Sequence, residues 1–167
     1  MGPSLCLVLG PEVAELQGGT PECVADGSVL GRMAIGHALM EPLFFKNHTL
    51  HAACLERAIE WTEDRIQAAH IDVPVGAQLS TRDAQVWALA QASGVTQSDR
   101  PILHVDAVEQ TFSRLVMQAM GQASPQEALP ATARFFATVV FVRELMHHLH
   151  FPQIQLLRTP TPTNALH

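Results

Sequence analysis

Two groups of residues in this sequence have the types and spacing to hold a metal ion. One is His48-x-x-His51-x-x-Cys54. The other is Glu144-x-x-His147, followed by His148 and His150. Imidazole and thiolate are good ligands for zinc and copper, and His37, upstream, is a candidate to complete the first set. Steps of three residues keep neighbours on one side of a helical turn. Each step also drifts by about 60°, so His48 and Cys54 diverge by about 120° on a regular helix. His48 escapes that constraint if it lies in the cap. Glu-x-x-His is the half-motif of di-iron carboxylate bundles, which use two copies; no second copy occurs here. The plainer alternative is a capping His, a surface His and a buried Cys in the first group. For the second group it is histidines favoured by the dipole at a helix end. If the two helices pack antiparallel, His48, His51, Cys54, Glu144 and His147 converge on one zinc or other transition metal ion. No further cofactor is expected.

Other chemistry finds less support. There is no Gly-x-Ser-x-Gly elbow. The Gly31-x4-Gly36 stretch is followed by His37-Ala38, so it lacks the Lys of a phosphate loop. Cys23 sits among Pro21 and Glu22 with no local base to lower its pKa. Glu60, Glu63 and Asp64 read as the solvated face of a helix. Arg134 and Arg143 bracket an apolar stretch and need carboxylate partners, Glu60 or Glu63 being candidates.

The elements that must carry these residues follow from periodicity. Residues 4–17, broken by Gly10-Pro11, read as a β-hairpin, with 18–28 a loop. Helical spacing covers 29–43 and then runs from Asn47 or Thr49 to about His70, where Leu55, Ala58, Ile59, Thr62, Ile66 and Ala69 form one stripe. A helix follows Ser80-Thr81-Arg82-Asp83 to Ser93, and another runs from Asp106 to Gly121. Ile102–His104 is a candidate short strand. Residues 131–150 read as a helix apolar nearly all round, hence central and buried, although Thr138–Val142 is β-prone. Gln153–Leu157 is a candidate strand to pair with the hairpin. The expected fold is a helix-rich α+β domain: about five helices around helix 131–150, with a short N-terminal β-hairpin that the C-terminal strand can join. It spans residues 1–157, followed by a flexible tail, 158–167.

Composition bounds the rest. The chain has 167 residues, 47% hydrophobic and 16% charged, which excludes disorder as its main state. A formal net charge of -6 argues against nucleic acid and anionic membranes as partners. The longest apolar stretch, residues 135–142, is well short of the ~20 residues of a membrane span. Three well-separated cysteines read as reduced thiols in a cytoplasmic protein. Met40, Phe44 and Phe45 are candidates for a contact patch. With no nucleophile or base in view, the expectation is a non-catalytic accessory or assembly protein. It would act through contacts with another protein or with itself. The alternative is a helical metal- or ligand-binding protein using the His/Cys/Glu clusters.

Overall fold

Apolar residues at alternate positions build the inner face of one sheet. In β1 (Ser4–Leu9), Leu5 and Leu7 are buried and Val8 is exposed. Gly10 N–H donates to Val13 O at 2.8 Å and turns the chain into β2 (Ala14–Gly19), where Leu7 stands opposite Leu16. β3 (Ala25–Met33) pairs antiparallel with β2, with shifts of register between Leu16 and Gly19. The computed structural model describes residues 2–95 and 98–159. Beyond Thr159 the expected tail lies outside these residues.

Three further strands complete a six-stranded mixed sheet in the order β3-β2-β1-β4-β6-β5. β4 (Gln78–Thr81) runs parallel to β1, and β6 (Gln153–Leu156) runs parallel to β4. β5 (Ile102–His104) closes the edge antiparallel to β6. Register aligns Leu5, Leu79, Ile154 and Leu103 in one inward-facing row across four strands. The sheet is thus much larger than a hairpin, and the C-terminal strand joins β4 and β5 instead of the hairpin. Residues 25–28 of the expected loop and 29–33 of the helix expected over 29–43 form β3. That edge strand is exposed along most of its length, so no inward period marks it. Its Gly31 lets Ile71 approach closely, since a Cβ there would lie 2.4 Å from Ile71 Cγ1.

Five α-helices cover the inner face: α1 (His37–Phe44), α2 (Ala52–Ala68), α3 (Ala84–Ala92), α4 (Val105–Ala119) and α5 (Ala133–His148). Twelve of the sixteen residues of α5 are buried, and α1, α2, α3 and α4 all pack on it. The β-prone stretch Thr138–Val142 is helical because every side of it meets apolar neighbours. Phe136 stacks edge-on against Phe45 at 5.6 Å between ring centroids. Met40, Phe44 and Phe45 are therefore core residues and not a contact patch. No helix among the described residues is long and apolar enough to cross a membrane.

The outer face of the sheet corrects the reading of the cysteines. Cys6 on β1 and Cys23 in the β2–β3 loop form a disulfide, and only Cys54 is free. Arg82 Nη2 donates to Glu22 O at 2.6 Å, and Arg100 lies 3.7 Å from the Glu22 carboxylate. The loop is thereby strapped to the sheet, and the bonded pair does not fit the expected set of three reduced thiols in a cytoplasmic protein.

Candidate functional site

β1, β3 and β4 point the same way, so their carboxyl ends meet at one edge of the sheet. In open α/β sheets that edge is where ligands bind. Here it opens into a cavity of about 210 Å³. The β1–β2 turn contributes Leu9, Gly10 and Pro11. The β3–α1 junction gives Gly36 and His37, the β4–α3 junction gives Asp83 and Ala84, and the first turns of α5 give Arg134 and Thr138. A Cβ on Gly36 would fall 2.1 Å from Pro11 O, so only glycine lets the turn lie against the start of α1.

Three helices thus begin at the cavity wall. Exposed N–H groups and aligned peptide dipoles make helix N-termini favourable to anions. α1 has no side-chain cap. In α3 the Asp83 carboxylate accepts from Gln85 N–H at 2.7 Å and Val86 N–H at 3.2 Å, a conventional cap. In α5 the Thr132 hydroxyl accepts from Phe135 N–H at 3.1 Å. Arg134 is the cation of the cavity wall. Burial, and then the charge of Arg134, push the His37 pKa below its usual 6.5, so its ring is neutral at neutral pH.

The residues expected to bind metal do not converge. His48 is exposed and in a left-handed conformation, and its Nδ1 accepts from Ala133 N–H at 3.0 Å, capping the start of α5. His51 is the exposed N-cap residue of α2, and Cys54 is half-buried one turn on. Glu144 is buried against Arg143, and exposed His147 bonds Glu109. The reason is direction. His48, just before α2, meets Ala133 at the start of α5 and, fifteen residues further along both segments, Glu63 meets His148. α2 and α5 therefore run the same way, and the two clusters sit at opposite ends of α5, about 16 Å apart by helical rise. Arg143 pairs with Glu109 and Glu144, not with Glu60 or Glu63.

The sequence offers His37 as an extra metal ligand, Asp83 as part of a near capping box and Arg134 as a charge in need of a carboxylate partner, but does not place them together. The available signal was that each stands at a helix start, two of them just after a strand.

No family model and no curated protein matches the sequence. The fold does match solved structures. An exopolyphosphatase-like protein superposes with a TM-score of 0.67 at 16% identity, over 94% of this chain and 56% of that one. The Ppx/GppA enzyme of Aquifex aeolicus gives 0.66 at 13% identity, over 94% and 54%. An exopolyphosphatase from Cytophaga hutchinsonii gives 0.57 at 10% identity, over 93% and 53%. The chain therefore spans about half the length of these proteins and shares their fold.

This likeness overturns both the reading of a non-catalytic accessory protein and its alternative, a helical metal- or ligand-binding protein using the His/Cys/Glu clusters. The architecture is one that exopolyphosphatases use. The missing nucleophile was a poor argument against catalysis, because phosphoryl transfer rests on positioning and charge and asks little covalent chemistry of the protein.

Proposed function

We propose that this chain is a phosphatase-like domain that takes a phosphoryl anion into the cleft at the strand carboxyl ends. The observation that carries this reading is the convergence of three helix N-termini on a cavity holding Arg134, His37 and Asp83. Arg134 supplies the bidentate cation that suits phosphate oxygens. The N-terminal turn of α1 adds a field of the right sign without an internal carboxylate. Neutral His37 accepts the proton of the attacking water. The water oxygen bonds to phosphorus, the bond to the leaving phosphate breaks, and the leaving group carries the displaced electron pair. Asp83 holds its own helix start and limits the negative charge the cleft accepts.

The test is inorganic phosphate and polyphosphate added to the purified chain. Amide resonances of Gly36, His37 and Ala84 are expected to move saturably, and free phosphate to accumulate from polyphosphate. Arg134→Ala is expected to move saturation of the resonance shifts to roughly 10- to 100-fold higher ligand concentration. Resonances that stay still with both ligands would overturn the reading.

A further inference from the structure

The far end of α5 holds a second polar cluster, away from the cleft. Glu144 and His148 lie one turn apart on α5, and Glu63 faces them from α2. The Glu144 side chain is only 3% exposed. Its Oε1 accepts from Arg143 Nη1 at 2.6 Å. Its Oε2 lies 3.5 Å from His148 Nε2, and that same nitrogen lies 3.3 Å from Glu63 Oε1.

One ring nitrogen carries one proton or one lone pair. As a donor it serves one of these two carboxylates at a time. Arg143 meanwhile bonds Glu109 through Nε at 2.8 Å and Glu144 Oε1 through Nη1. Glu109 and Glu144 thus share the Arg143 guanidinium, while Glu63 and Glu144 have His148 as their common neighbour.

The three ligand atoms lie within 4.8 Å of one another. Two carboxylates and an imidazole this close together match the donor set of a first-row divalent ion. A tetrahedral zinc with bonds of about 2.0–2.2 Å has ligand–ligand edges of about 3.3–3.6 Å. The two edges to His148 measure 3.3 and 3.5 Å.

We propose that Glu63, Glu144 and His148 form a binding site for a first-row divalent cation of zinc type, which clamps α2 to the C-terminal end of α5. Glu63 and His148 are partly exposed, so the ion enters from solvent and water completes its shell. His147 takes no part, being bonded to Glu109. The site stands on different residues from the cleft and is independent of the phosphatase reading.

The experiment uses the full chain, stripped with a chelator and titrated with Zn²⁺ by calorimetry and with Co²⁺ by visible absorption. One ion per chain, a rise in Tm with Zn²⁺ and the intense visible band of tetrahedral Co²⁺ are expected. His148→Ala and Glu63→Gln, both at partly exposed positions, keep the fold by circular dichroism and weaken binding by at least about tenfold. The double variant His51→Ala with Cys54→Ser binds as the parent does. Absence of stoichiometric binding, or a Tm rise that persists in His148→Ala, overturns the site.

Discussion

The two ends of α5 have the same dry middle and opposite chemistry. At the start, Arg134 and Thr138 face a cavity where strands end and other helices begin. At the finish, Arg143, His147 and His148 meet Glu109 and Glu63 from α4 and α2. The helix dipole accounts for part of this division. The positive end of the dipole favours an anion, and the negative end gathers cationic or protonatable side chains. Direction accounts for the rest. Because α2 runs alongside α5 in the same sense, each end of one helix meets the matching end of the other. The comparison teaches that a buried spine separates two polar sites and holds each in place.

The largest expected effect comes from breaking the spine itself. Phe136→Ala removes a side chain that is 1% exposed and stacked on Phe45. The expected loss is about 3–5 kcal/mol in denaturant unfolding, because the space cannot refill from a rigid core. Phosphate-induced shifts at one end and zinc binding at the other are expected to fade together. If one survives at full strength, the ends do not share a support.

Arg134→Ala separates the ends. The side chain is exposed, so stability changes by less than about 0.5 kcal/mol. Phosphate binding is expected to fall by roughly 10- to 100-fold, from the loss of a charge-assisted hydrogen bond. Zinc affinity at the far end stays constant. Calorimetry with each ligand in turn reads both numbers.

The pH dependence sharpens the contrast. The native state holds the His37 pKa below 6.5 through burial and the nearby Arg134 charge. The unfolded chain therefore binds more protons than the native one in this range. The His37 contribution to stability is present above 6.5 and is lost as pH falls below it. Phosphate release is expected to have an acid limb below pH 6.5, and Arg134→Ala to move that limb upward. At the far end, burial raises the Glu144 pKa above 4.5 against the pull of Arg143. The native state there binds the extra proton, so this group favours folding as pH falls and the benefit is lost as pH rises. An unchanged acid limb in Arg134→Ala would remove Arg134 as the cause.

Much of the spine was legible in the sequence, because a run such as Phe135–Val142 between arginines has one economical solution, a helix covered on all sides. The stripe of α2 and the start of α3 at Asp83 were equally plain. The sheet was not. β4 offers only four residues, Gln78–Thr81, and β3 contains Asp26, Gly27 and Gly31, which read as breakers when the strand lies at an exposed edge. The cleft was invisible for a related reason. His37, Asp83 and Arg134 are far apart in sequence and meet only because strands β1, β3 and β4 end together. The expected metal set failed on helix direction, which periodicity does not specify. The disulfide was missed because Cys6 and Cys23 become neighbours only when the β2–β3 loop folds back over the sheet.

The smallest expected effect tests the residue whose role changed most. His48 has a metal-ligand type and spacing, yet its Nδ1 accepts from Ala133 N–H at the start of α5. That nitrogen must carry a lone pair, so the proton of a neutral ring sits on Nε2. Thr132 covers Phe135 N–H of the same turn, so the two side chains together answer two of the four donors that a helix start leaves open. Loss of one such acceptor costs about 1 kcal/mol. His48→Ala is therefore expected to lower stability by about that amount and to speed hydrogen exchange at Ala133. Exchange near Leu145 and Met146 stays slow, because Glu63, Glu144 and Arg143 hold that end separately. Zinc affinity is likewise unchanged, since His48 touches the wrong end of the helix. A fall in zinc affinity with His48→Ala would instead return this histidine to the metal set and contradict the parallel arrangement of α2 and α5.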